Sequence, residues 1–277
     1  MRQPPKALLE ARRQCRRSRL ARRLLPLVAP LLMGPIAVNV SPSQAHGTDT
    51  LKVRMAPALE RGIDFETSLR ALYDEINPGE LGLRYEVFKA AMVGYLNLRQ
   101  TGQLDATRKL LTIVDFEQSS TQKRLYVIDL AQKQVLFNTW VAHGRGSGDD
   151  LANRFSNDVD SHMSSLGFFV TGETYLGKHG LSLHLQGQDE GFNDKAFDRA
   201  VVIHGADYVS EDFIREHGRL GRSHGCPALP PELNEPIINT LKGGTCLFLY
   251  SPVDRLESKY LDQELAMESY FANNRSI

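Results

Sequence analysis

A thiol and an imidazole frame the chemistry open to this chain. Val201-Val202-Ile203 delivers His204, with Gly205 directly after it, and Gly221-Arg222-Ser223-His224-Gly225-Cys226-Pro227 follows beyond a spacer. A cysteine becomes a strong nucleophile when a neighbour takes its proton or stabilises its thiolate, and imidazole is the usual partner. Cys226 is therefore read as the nucleophile toward an acyl carbon and His204 as its base. No Asp or Asn stands where it would orient the imidazole, which leaves a backbone carbonyl such as that of Gly205. Backbone N–H groups of the Gly225–Cys226 turn are the candidate oxyanion donors. Arg222 or Arg145 is a candidate for holding a substrate carboxylate through a two-point fork. The plainer alternative makes His204 a core histidine and Cys226 an ordinary turn residue.

Other chemistries fit less well. The glycine-rich loop His143-Gly144-Arg145-Gly146-Ser147-Gly148-Asp149-Asp150 lacks the Lys-Ser/Thr ending of a phosphate loop. Its glycines are read instead as letting the backbone turn sharply or approach a neighbour. His179 and His184 invite a metal, but no Glu lies between them and the strand pattern keeps their rings apart. No metal and no cofactor are expected. His143 and His162 are read as loop residues lining a cleft.

Charge excludes another class. The 277 residues carry 33 Lys and Arg against 33 Asp and Glu, and the balance hides an N-terminus crowded with arginine. Without that segment the chain is mildly acidic and its aromatics are scattered, so nucleic acid is not an expected partner. The basic run to Arg23 precedes Leu24-Leu25-Pro26-Leu27-Val28, an apolar stretch to Val40 and then Ser41-Pro42-Ser43-Gln44-Ala45. Charged region, apolar region and small residues at −3 and −1 form the layout of an export signal over residues 1–45. Pro26, Pro30 and Pro35 interrupt the apolar run, so contact with a membrane is expected only through that signal if it stays uncleaved. The mature chain would start near His46, exported to the periplasm or cell wall.

Export normally turns a pair of cysteines into a disulfide. Cys246 lies in the apolar run Thr245-Cys246-Leu247-Phe248-Leu249-Tyr250, however, and Cys226 in a polar turn. A reactive Cys226 beside an inert, buried Cys246 is the preferred reading.

The elements that must position these groups follow from periodicity. Residues 46–62 read as a linker. Phe65, Leu69, Leu72, Tyr73 and Ile76 share a helical face behind Asp64 as N-cap, and a second helix runs from Arg84 to Gln100. Together, residues 46–104 form a linker and helical cap. From 105 the period becomes two: Lys109–Phe116, Arg124–Leu130 and Gln134–Ala142 are strands, followed by strands at Phe168-Phe169-Val170 and within Tyr175–Gln186. Val201–His204 is a buried strand, Ser210 caps a short helix to His217, and Pro230-Pro231 opens a helix ended by Gly243-Gly244. The 245–250 run closes the core, and residues 253–277 form an acidic tail that is helical or loosely attached.

On these residues the chain resembles a known family. Ile203-His204-Gly205, a spacer and Ser223-His224-Gly225-Cys226 resemble the signature of YkuD-type L,D-transpeptidases of bacterial cell walls. Ser164-Ser165-Leu166-Gly167-Phe168-Phe169 is similar to the turn that precedes a core strand in that family. The resemblance covers about residues 105–252 and is greatest to the murein L,D-transpeptidase catalytic-domain branch. It implies a mainly β, α+β fold: a mixed β-sheet catalytic domain with peripheral helices. It also implies an acyl-enzyme on Cys226, His204 as base, the Gly205 carbonyl orienting the ring, and Ser223, His224 and Gly225 shaping the oxyanion and substrate pocket. Two departures stand out. The spacer after His204 is longer than usual, and the Arg or Asn common two places after the cysteine is Ala228, for which Arg222 could substitute.

The expected function is thus a cysteine L,D-transpeptidase acting on peptidoglycan stem peptides as donor and acceptor. The alternatives are an L,D-carboxypeptidase or amidase using water with the same pair, or a non-catalytic wall-binding module locked by a Cys226–Cys246 bridge.

Overall fold

A computed structural model describes residues 49–272. The export segment, residues 1–45, lies outside them, and so do the last five residues of the tail. Among the described residues no helix is long and apolar enough to cross a membrane. All that follows belongs to the compact unit Lys52–Ile277, with its first helix beginning at Asp49.

Eight strands form one sheet: β1 (Leu110–Asp115), β2 (Leu125–Asp129), β3 (Gln134–Thr139), β4 (Gly167–Gly177), β5 (Gly180–Gly187), β6 (Val202–Gly205), β7 (Ala228–Leu229) and β8 (Cys246–Tyr250). Their spatial order is β3-β2-β1-β8-β4-β5-β6-β7. The β1–β8 and β6–β7 pairs are parallel and the others antiparallel. This is the mixed, β-rich α+β sheet that the period-two runs imply. The last strand in the chain, β8, lies at the centre of the sheet, between β1 and β4.

Side-chain alternation divides two cores across the sheet. Leu111, Ile113, Ile128, Phe168, Cys246 and Phe248 face one layer, and Val114, Val127, Phe169, Leu247 and Leu249 the other. The first layer is built by α1 (Asp49–Ile76), α2 (Tyr85–Gln100) and α5 (Gln263–Ala272), and the second by α4 (Pro231–Leu241) through Ile237, Ile238 and Leu241. In α2 the sheet comes so close that a Cβ on Gly94 would stand 1.9 Å from Phe168 Cζ. Only glycine permits that approach.

One expectation changes. The first helix begins at Asp49, well before Asp64. Leu59 and Ile63 on it are more than half exposed, and Pro57 stands inside it, a residue that reads as a break in a helical pattern. Of the two forms expected for the tail, helical or loosely attached, the helical one is observed, over Lys259–Leu261 and Gln263–Ala272, and it is docked. Asn97 Nδ2 donates to the carbonyls of Tyr260 and Asp262, both at 2.8 Å, while Ala266 and Tyr270 are buried. The Ser210 cap is observed, its side chain accepting from Phe213 N ahead of α3 (Glu211–His217), the helix that occupies the long spacer.

Candidate active site

The site lies at the β6–β7 end of the sheet. Val201 to Ile203 are buried, and β6 (Val202–Gly205) carries His204, which is 4% exposed, one residue before its end. The parallel register His204↔Ala228 places the Cys226 turn alongside. Val202 N–H points at Cys226 Sγ from 3.5 Å, and Sγ lies 3.7 Å from the Ala200 carbonyl. His204 and Cys226 line one cavity of about 420 Å³ together with Ser182, Arg199, Tyr208 and Ser223. The fold thus joins the two groups that the motif separated.

The imidazole is set by its own backbone. His204 Nδ1 lies 2.9 Å from the Gly205 carbonyl oxygen. A carbonyl can only accept, so Nδ1 carries the proton and Nε2 is left with its lone pair. Burial pulls the His204 pKa below its ordinary value, against the Gly205 hydrogen bond and with a smaller contribution from His179. The ring is therefore neutral at pH 7, the form a base requires.

Burial pushes the Cys226 thiol up, opposed by the Val202 N–H, the Arg199 charge and the cysteine's own backbone N–H. Thiol and imidazole are thus both neutral at pH 7. Iodoacetamide labelling of Cys226 should be slow at pH 7 and accelerate through pH 9 and above. A fast rate already on a plateau at pH 7 would contradict this resting state.

The cysteine turn is braced from within and from behind. Ser223 Oγ accepts from Gly225 N at 3.0 Å and donates to the Cys226 carbonyl at 2.6 Å. Gly225 N–H is therefore committed, which removes it as an oxyanion donor. Cys226 N–H, directed at its own sulfur, remains the candidate oxyanion donor of that turn. Ser164 Oγ accepts from Gly144 N and donates to the Gly225 carbonyl, both at 3.0 Å, so the Ser164-Ser165 turn clamps the cysteine turn. The glycine loop approaches as its composition implied. His143 and Ser223, and Arg145 and Ser223, are joined backbone to backbone, and a Cβ on Gly144 would meet Gly225 Cα at 2.8 Å.

Other sequence candidates are distributed differently. His224 is exposed and its ring packs 4.6 Å from that of His162. Arg222 lines the cavity, yet its Nη1 is spent on the Gly148 carbonyl at 3.0 Å and on Asp149. Ala228 is fully buried in a small cluster with Ala142, Val209 and Leu220, where an arginine would not fit. His143 does not line the cleft. It is wholly buried, its Nδ1 held at 2.8 Å by Arg124 Nη2, with Phe116 edge-on to its ring.

Arg124 is buried with hydrogen bonds to the Val141 and Gln118 carbonyls, and burial lowers its pKa to about 9, so it stays cationic at pH 7. Burial and the Arg124 charge depress His143 to about 3. Its unfolded value is near 6.5. The stability from keeping it neutral is complete above about pH 6.5 and is lost as pH falls toward 3, by at most ~1.4 kcal/mol per pH unit. Urea midpoints should drop between pH 7 and pH 4.5, and His143→Gln should flatten that slope. An equal slope in the variant would remove His143 as its source.

Two site residues gave no clear signal in the sequence. The His179 ring stacks on His204 with centroids 4.6 Å apart and planes at 26°, placing the β4–β5 turn over the base. His184 instead lies between Tyr175 and Phe197, so the pair that invited a metal is divided. Arg199 donates to the carbonyls of Ser156 and Met163, both at 2.7 Å, and to Ser165 Oγ, and its charge acts on Cys226. Its position just before the histidine strand was the one available hint.

Of the chain's three cysteines, Cys15 lies outside the described residues; Cys226 and Cys246 are free, and Cys246 is buried. Cys226 sits against β6, three positions from β8 in the sheet order. At roughly 4.8 Å per strand that separation exceeds the about 7 Å that a disulfide's Cα atoms allow. The bridged module is geometrically closed.

A family model described as the L,D-transpeptidase catalytic domain matches residues 80–250. No curated protein matches the chain. Among solved structures, an L,D-transpeptidase from Mycobacterium smegmatis aligns at 13% identity and TM-score 0.32, over 52% of this chain and 59% of its own. The helical cell shape determining protein Pgp2 from Campylobacter jejuni, as a point variant, aligns at 15% and 0.35, over 66% and 62%. The chain thus spans less than two thirds of the length of either structure.

Proposed function

The chain belongs to the L,D-transpeptidase catalytic-domain family, whose model covers more than half of it, and on that premise we propose that it cross-links peptidoglycan stem peptides through an acyl-enzyme on Cys226. His204 Nε2 takes the thiol proton as Sγ attacks the carbonyl of an L-configured centre in the donor stem. A C–S bond forms, the C–N bond breaks, and the proton goes to the departing amine of the terminal D-residue. Cys226 N–H meets the oxyanion. The amine of an acceptor stem then displaces the sulfur. The carrying observation is the His204 Nδ1–Gly205 contact, which fixes the base tautomer in the cavity that holds Cys226.

Residues 105–252 would supply this chemistry, with 46–104 and 253–277 as its helical surroundings. Residues 1–45 would export it to the periplasm or cell wall, the place of such substrates. The test is incubation with purified tetrapeptide muropeptides and mass spectrometry of the products. Cross-linked dimers that vanish in Cys226→Ala are expected. Trimmed monomers alone would make the protein a carboxypeptidase, and unchanged muropeptides would remove the enzymatic reading.

A further inference from the structure

A second groove adjoins the cavity of Cys226. It has a volume of about 510 Å³ and shares Lys178, His179 and Tyr208 with that cavity as a common wall. His179 in that wall is the ring stacked on His204. The groove's far side is formed by the start of α4 and by the chain leaving β6, including Gly205, whose carbonyl orients the base.

The two hollows differ in charge. The charged side chains lining the cysteine cavity are Lys178, Arg199 and Arg222, with no Asp or Glu among them. The adjoining groove is lined by Asp207 and Glu235 against Lys178 alone. Asn234 adds a second, independent signal. It is 7% exposed, its Nδ2 donates to the Leu181 carbonyl at 2.9 Å, and its Oδ1 is buried without a hydrogen-bond partner. A buried acceptor left without a donor is unfavourable, so such a group calls for an N–H from outside. A cationic hollow suits the carboxylate-bearing donor peptide. An acidic hollow with an orphaned carbonyl suits an ammonium.

We propose that the groove of Asp207, Asn234 and Glu235 is the acceptor subsite, which admits a peptide amine in its ammonium form and passes it across His179 to the acyl group on Cys226. The inference rests on the acyl-transfer reading above. In the transfer step the nitrogen attacks the thioester carbonyl, a C–N bond forms and the C–S bond breaks. Of the two protons the ammonium nitrogen loses, one ends on Cys226 Sγ and the other reaches solvent through His204.

The experiment follows two rates in one reaction of the full chain. The donor is a purified tetrapeptide muropeptide, and the acceptor is a second, isotopically labelled muropeptide with a free side-chain amine. Acyl-enzyme formation is read as release of the terminal D-residue, and transfer as labelled dimer. Asp207→Asn and Glu235→Gln are both exposed positions, so each tests the groove without repacking the core. Each should lower the ratio of transfer to acylation by about tenfold, with hydrolysed monomer replacing dimer. An unchanged ratio in both variants would overturn the subsite, and so would a parallel fall in both rates, which would place these residues on the donor side. A wild-type protein that acylates but never transfers would overturn the transpeptidase reading and the subsite with it. That outcome is distinguished by its appearance before any substitution.

Discussion

Cys226→Ala should abolish dimer formation, lowering turnover by about 10⁴-fold or more, the scale of losing a covalent nucleophile. The fold should survive the change. Cys226 is only partly buried, and its sulfur meets nothing stronger than the Val202 N–H and the Ala200 carbonyl. Ser223 holds the turn through the backbone of residues 225 and 226, not through the thiol. Thermal unfolding of the variant should therefore match the parent, and a carbapenem should add no mass to it. If Cys226→Ala still forms dimers, another nucleophile carries the reaction. Cys246 is a poor substitute, because complete burial raises its pKa far above the ordinary thiol range.

The second large effect belongs to a residue that touches no substrate. Gly144→Ala would put a methyl group 2.5 Å from the His162 carbonyl oxygen and 2.8 and 2.9 Å from Gly225 Cα and N. All three are backbone atoms, so relief requires one strand of the clamp to move. The Gly144 N–Ser164 Oγ–Gly225 O chain passes through the same point, so displacement reaches Cys226 directly. A misplacement of about 1 Å at a reacting group costs on the order of 10²-fold in rate. The acylation rate should fall by that order while the urea midpoint falls only modestly. Gly62→Ala, inside α1 where the added carbon meets nothing within 4 Å, should leave the acylation rate unchanged and raise the urea midpoint slightly, because alanine favours a helix interior over glycine. A fully active Gly144→Ala would mean that the glycine loop does not position the nucleophile.

Part of this was open to reading along the chain. The apolar run ending in His204 and the polar turn around Cys226 each declare their local conformation, because strand period and turn chemistry are properties of neighbours in sequence. The same holds for the three hairpin strands from Leu110, the Ser210 cap and the α4 face of Ile237, Ile238 and Leu241. The first turns of α1 were missed for the complementary reason. Pro57 and Gly62 lie within that stretch, and both residue types read as breaks in a helical pattern.

What the chain alone determined, then, is the candidate pair Cys226 and His204, the β-rich domain and the separation of Cys226 from Cys246 by local setting. Only the tertiary structure decided who stands around the pair. Arg199 reaches back to Ser156 and Met163, Ser164 to Gly225, and Arg124 to His143. The β4–β5 turn lays His179 on His204. These contacts are set by strand order and by the packing of loops at one end of the sheet, which no local period encodes. A buried arginine and a turn arginine read alike in one dimension, because their difference is the solvent that folding removes.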